Sequence, residues 1–354
     1  MHSRREFVGA ASAVLAPAVA QAHPPGTQPH GPPRLIDCQS HLFVPEVVAF
    51  MEKRKSSPYV YRKGADRYVV VREWERRILP NHLDVAAKLA DMDQAGIQLT
   101  ALSMNDPGPE LFGADAVAIA RVANDYLAEL VRRHPGRFLG LAALPMLDAE
   151  ATLAELERCA GRLGMKGILL YSNLGGKFPD EPEFRPLFDV AEKRGLPILL
   201  HPAHPTTYEA TKGYNMAAGL GLMFDTTIAL TRLILAGVLE RRPNLKLVCP
   251  HLGGALPYLI GRVDHQVRVL KRGGENIRRA PSDYLKMVYL DTVSPMAAAI
   301  RYGIDSVGVD QMLYGSDHPW VDPQLIAGLV RSLKLGAADE DKIFAGNARR
   351  LFGL

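Results

Sequence analysis

With 354 residues, 47% of them hydrophobic, the chain can bury one large core. A net charge of +4 without dense basic tracts argues against nucleic-acid binding. Cys38, Cys159 and Cys249 are too few and too widely spaced for a disulfide framework, and each reads as a small apolar thiol inside an element.

The N-terminus has the form of an export signal. Ser3-Arg4-Arg5-Glu6-Phe7 precedes an apolar stretch over 8–20, and Ala20-Gln21-Ala22 places small residues at the −3 and −1 positions of a cleavage site. Paired arginines of this kind make residues 1–22 a signal of the twin-arginine type. The stretch is too short and too weakly hydrophobic for a membrane span, and no later segment reaches that length. Residues 23–33, rich in Pro and Gly, read as a flexible leader. The expected mature protein is periplasmic or secreted, free of the membrane, and folded as one domain over 34–354.

Short apolar runs at 34–39, 98–103, 138–144, 165–171, 197–201, 245–250, 287–291 and 311–315 read as buried strands. Helical patterns lie between them at 84–95, 114–134, 149–163, 183–194 and 226–241. In the second of these, Val117, Ala120, Ala123, Leu127, Leu130 and Val131 recur at helical spacing. Strands alternating with helices predict parallel βαβ units, and eight of them predict a (β/α)8 barrel. An open dinucleotide-binding sheet would need a Gly-rich turn after its first strand, where this chain has Asp37-Cys38-Gln39-Ser40-His41. The connection over 44–82 is too long for a plain βα loop and reads as a lid insertion. It carries Arg62, Arg67, Arg72, Arg76 and Arg77 among other basic residues, and Arg67 begins an alternating run that suits a small strand. A basic lid would favour an anionic substrate; a solvated charged surface has the same composition.

The candidate site follows from what closes the strands. Gln39 and His41 end the first, His201 ends 197–201, His251 follows 245–250, and Asp317 follows 311–315. Parallel barrel strands converge at their C-terminal ends, where such barrels keep their active sites. Nitrogen and carboxylate donors meeting there suit one divalent metal with an open coordination position. Asp37 lies two residues before Gln39 and suits a supporting hydrogen bond. His204 reads as an exposed loop histidine or a substrate contact, and His318 as directed away from the metal.

Asp37-x-x-x-His41, LLHPAHP (199–205), PHLGGALPYLIGRVD (250–264) and YGSDHPW (314–320) resemble the amidohydrolase-related superfamily, in particular its branch of aminocarboxymuconate-semialdehyde decarboxylases. The resemblance implies a (β/α)8 barrel with one divalent metal, often zinc. It makes His41, His201 and Asp317 ligands and His251 the acid–base residue. It also implies an arginine after the first strand that holds a substrate carboxylate, for which Arg76 is favoured over Arg72 and Arg77. Arg262 matches an arginine that reaches substrate across a subunit contact, which implies a homodimer; an ion pair on the helix surface with Asp264 or a nearby Glu is the alternative. Gln39 departs from the pattern, which has His or Glu there. Strand alternation still puts it on the face of His41, but a neutral amide oxygen suits Mn or Mg better than zinc, and its presence leaves loss of the metal open.

Two reactions suit these residues. One is non-oxidative decarboxylation of a small aromatic or unsaturated carboxylic acid, with His251 or Asp317 protonating the carbon that loses CO2. The other is hydrolysis of a lactone, ester or amide. A non-catalytic binding protein is the third reading, with Gln39 as the mark of lost chemistry.

Overall fold

The computed structural model describes residues 35–354; the export signal and leader read from the sequence, together with Arg34, lie outside the described residues. Eight strands run parallel around one barrel: β1 (Ile36–Leu42), then, after a three-stranded insertion, β5 (Leu99–Met104), β6 (Phe138–Ala143), β7 (Gly167–Tyr171), β8 (Ile198–His201), β9 (Leu247–Cys249), β10 (Tyr289–Asp291) and β11 (Met312–Leu313). All eight expected strands are present in the expected order. They are almost wholly buried, because helices cover their outer face while apolar side chains fill the interior.

The barrel closes between its first and last strands. Cys38 N–H donates to the Tyr314 carbonyl (2.9 Å), Asp317 N–H to Gln39 (3.0 Å) and His41 N–H to His318 (2.8 Å). Three residues of the candidate site therefore sit on the seam itself.

Local chemistry sets the helix boundaries. The Asp84 side chain accepts from Ala86 N (2.8 Å) and Ala87 N (3.1 Å), capping a helix over Val85–Ala95 that Gly96 ends in the left-handed region (φ 72°). Asp148 caps Ala149–Gly161 in the same way, through Ala151 N (2.9 Å). The expected pattern over 226–241 is two helices, Leu222–Leu235 and Val238–Arg241, broken at Gly237. Against the sequence expectation, Ala217–Leu235 is long and apolar enough to cross a membrane. Its Asp225 is buried and bonded to Ser172, Asn173 (2.7 Å) and Thr206 (2.6 Å), which ties the helix to the barrel loops.

Between β1 and Val85–Ala95 lie a helix over Pro45–Glu52 and an antiparallel sheet of β2 (Tyr59–Lys63), β3 (Asp66–Val71) and β4 (Trp74–Ile78). The alternating run from Arg67 falls in β3. Part of the basic character of this insertion is neutralised by ion pairs, within it and with the neighbouring loops. Arg62 and Arg67 meet Glu52, Arg77 meets Asp66, and Arg54 meets Asp115. The insertion touches the C-terminal loops of the barrel where Arg72 donates to the Gly175 carbonyl (3.1 Å) and Tyr208 to the Glu73 carbonyl (3.1 Å).

Candidate active site

Strand pleating sends Gln39 and His41 to the same side of β1, and the seam brings Asp317 against both. One donor atom each from His41, His201 and Asp317 lie within 4.8 Å of one another. His41 Nδ1 is 2.7 Å from Ser103 Oγ, which in turn donates to the Ser40 carbonyl. This chain assigns the proton to Nδ1 and leaves Nε2 as a lone pair facing inward. His201 Nδ1 donates to the Pro202 carbonyl (2.8 Å), so its Nε2 is likewise bare. Burial, reinforced by His41 and His251 nearby, holds the His201 imidazole well below its usual range. Neutral imidazoles oriented through their other nitrogen are the form in which histidine binds metal.

Gln39 is fully buried, and its amide nitrogen lies 2.8 Å from Asp317 Oδ1 and 3.2 Å from His41 Nε2. Its Oε1 and the Nε2 of His201 are buried without a hydrogen-bond partner. Such atoms are costly unless something polar meets them, and a donor set of two imidazoles and one carboxylate fits a divalent ion; Gln39 meets that set nitrogen-first, so ligation by its Oε1 requires the amide to be flipped.

His251 Nε2 is 3.5 Å from Asp317 Oδ2. Burial would lower the His251 imidazole, but the carboxylate of Asp317 outweighs it and raises it. Burial would likewise raise Asp317, yet its contact with His251 holds its carboxyl far below the ordinary range. Both residues occupy the left-handed region, at φ 54° and 58°. That conformation costs on the order of 1–3 kcal/mol each and persists where surrounding bonds enforce it. For His251 the enforcing group is Asp291, whose Oδ1 accepts its backbone N–H (2.7 Å) and that of Val293 (3.0 Å). Burial lifts Asp291 to about 7.

Arg76 lies on β4 and forms a bidentate pair with Asp106, Nη1 to Oδ1 and Nη2 to Oδ2, both at 2.6 Å, while its guanidinium stacks over Trp74 (4.4 Å). The fork expected to clasp a carboxylate is thus engaged by Asp106, leaving Nε. Arg262 is exposed on the helix Leu256–Asp264. The expected ion pair with Asp264 is not formed; Asp264 Oδ1 accepts instead from Ser282 N (2.9 Å). His204 corrects its expectation of exposure: at 7% accessible it packs on Trp74 and Tyr208. Asp37 accepts from Gln39 N (3.1 Å), Ser316 N (3.0 Å) and Ser316 Oγ (2.6 Å), bracing the seam as anticipated. Cys38, Cys159 and Cys249 are buried free thiols.

Sequence reasoning missed Lys88. It is 1% exposed, and its ammonium donates to Ser40 Oγ (2.6 Å), His318 Nδ1 (2.9 Å) and the His41 carbonyl (3.1 Å). His318 passes the contact on to Asp91 (2.8 Å), which confirms that it faces away from the ligand set. Lys88 falls at i+3 from Val85 and i−4 from Met92, a lysine on the inward stripe of its helix, and that was the available signal.

A family model described as amidohydrolase matches residues 36–354. The chain belongs to the amidohydrolase family. Within it, this amidohydrolase is 33% identical over 298 residues to the gamma-resorcylate decarboxylase of Rhizobium radiobacter, covering 80% of this chain and 90% of that one. It is 30% identical over 295 residues to the 2-amino-3-carboxymuconate-6-semialdehyde decarboxylase of Dictyostelium discoideum, covering 79% of each. Among solved structures it resembles a dihydroxybenzoic acid decarboxylase from Polaromonas sp. JS666 with bound manganese and the inhibitor 2-nitroresorcinol. The TM-score is 0.77 and the identity 27%, over 90% of this chain and 97% of that one.

Proposed function

We propose that this amidohydrolase is a metal-dependent, non-oxidative decarboxylase of a small aromatic carboxylic acid. The observation that carries the reading is the His251–Asp317 pair set against the His41–His201–Asp317 donor cluster at the barrel mouth. Relatives on both the sequence and the structural side are named as decarboxylases of such acids.

His41, His201 and Asp317 would hold one divalent ion, with Gln39 at its edge. The ion would neutralise and orient substrate oxygens. The neutral Gln39 oxygen favours manganese or magnesium over zinc, and the manganese of the Polaromonas neighbour supports that choice. The Asp317 carboxylate raises the His251 imidazole and aims it at the substrate. His251 then delivers its proton to the ring carbon as the bond to the carboxylate carbon breaks and CO2 leaves. Arg76 acts through Nε and through its pairing with Asp106, which fastens the insertion over the mouth as a lid.

Two further readings belong with this one. Arg4, Arg5 and Ala20-Gln21-Ala22 support twin-arginine export to the periplasm. Leu220, Phe224 and Ile228 form an exposed apolar stripe at helical spacing, with Tyr258 79% exposed on the helix that carries Arg262. Such a face supports a homodimer in which Arg262 is offered to the other subunit. Phe224→Glu should then halve the mass measured by light scattering; an unchanged mass would place the contact elsewhere or remove it.

The reaction is tested by incubating the manganese-loaded enzyme with hydroxybenzoates, muconate semialdehydes and lactones in D2O. Release of CO2 with deuterium at the former carboxyl carbon is expected. Ring opening without CO2 would make the enzyme a hydrolase.

A further inference from the structure

Among the described residues, buried polar side-chain atoms without a hydrogen-bond partner concentrate at the barrel mouth. Of these, His201 Nε2 is accounted for by the donor cluster, and Gln39 Oε1 belongs to the amide beside it. Both oxygens of Glu110, the hydroxyl of Tyr171, both ring nitrogens of His204 and Arg76 Nε are not. A folded chain keeps such atoms only where strain, water or a ligand explains them.

They belong to one neighbourhood. Tyr171 ends β7 in register with His201 on β8, and the two rings meet edge to face at 6.2 Å. Glu110 follows β5 on the same end of the barrel. A side chain on Gly108 would stand 2.3 Å from Tyr171 Cε2 and 2.5 Å from each Glu110 oxygen, so only glycine lets these two groups converge there. His204 is linked to this side of the mouth by Asn173, which donates to its carbonyl (2.9 Å).

The chemistry of the set is neutral. Arg76 is cancelled by Asp106. Burial pushes the Glu110 carboxyl up to about 8 and holds the His204 imidazole low. An uncharged acid, a phenol and an imidazole each offer a donor and an acceptor, which matches a hydroxyl.

We propose that Tyr171 and Glu110, flanked by His204 and Arg76, form a neutral subsite beside His201 that binds a second ring hydroxyl of the substrate. The proposal rests on the aromatic decarboxylase reading.

The test is calorimetric titration of manganese-loaded protein with 2-nitroresorcinol and with 2-nitrophenol, which differ by one hydroxyl. The wild-type protein should bind 2-nitroresorcinol at least about 10-fold more tightly, because a site built to hydrogen-bond a hydroxyl rejects the analogue lacking it. Tyr171→Phe should abolish the preference while raising the melting temperature of the ligand-free protein, since it removes an unpaired buried hydroxyl. Glu110→Met should also abolish it, and if that variant fails to fold, Tyr171→Phe decides alone. No preference in the wild type, a preference kept in Tyr171→Phe, or a lowered melting temperature for that variant would overturn the subsite. CO2 release from hydroxybenzoates without any such preference would overturn the subsite and leave the decarboxylase standing. A preference lost in Tyr171→Phe, with no CO2 from any substrate, would uphold the subsite and sink the decarboxylase reading.

Discussion

Replacing Glu110 by Gln gives a quantitative check on the electrostatics of the mouth. The carboxyl is 5% exposed, no other residue partners its oxygens, and burial, opposed by its own backbone N–H and helped by Asp106, lifts it from 4.5 to about 8. Below about pH 4.5 the proton is held in both the folded and the unfolded chain, and the group contributes nothing to the pH dependence. Between about pH 4.5 and about pH 8 the unfolded chain releases the proton while the folded chain keeps it. Stability therefore falls as pH rises through this window, at up to about 1.4 kcal/mol per pH unit. Over the whole window the loss approaches about 5 kcal/mol, a large share of the stability of an ordinary domain. Glutamine has the same shape and no proton to lose. Urea unfolding of both proteins from about pH 5 to about pH 9 should show the wild type losing ground steadily against Glu110→Gln, then levelling near pH 8. A difference between the two that stays flat with pH would refute the claim that this carboxyl is protonated in the fold.

His201→Ala should abolish tight manganese binding, read by competition with a chelator; metal content equal to the wild type would remove His201 from the ligand set. Gln39→His should raise zinc affinity by exchanging a neutral oxygen for an imidazole, and an unchanged affinity would put residue 39 outside the shell. His251→Ala should lower the turnover rate by roughly 10²–10⁴-fold with metal content intact; turnover within a few-fold of wild type would assign the proton to another group. Ser103→Ala, which frees His41 Nδ1, should weaken metal binding by roughly 10–100-fold, measured by the same competition, whereas unchanged binding would mean that His41 is oriented by its packing alone. Replacing Arg4 and Arg5 together by Lys should leave precursor in the cytoplasm on fractionation, and normal export would point to another route.

Much of this protein was legible in one dimension. Apolar runs separated by helical periodicity fixed the order of eight parallel strands, because burial on both faces of a strand leaves a continuous hydrophobic signature. The donor residues His41, His201, His251 and Asp317 could be read from the ends of those strands, since barrel topology sends every C-terminal end to one mouth. The same rule applied to Tyr289–Asp291 would have flagged Asp291, which closes its strand and carries the His251 backbone. Only the tertiary structure decided how these groups are paired. Whether Arg76 is free depended on Asp106, thirty residues away in the loop after β5. The burial of His204 and the convergence of Glu110 with Tyr171 depended on loops whose paths no local pattern encodes. Charge state followed in turn, because a carboxyl or imidazole titrates according to what surrounds it in space, and that neighbourhood exists only once the barrel has closed at β1 and β11.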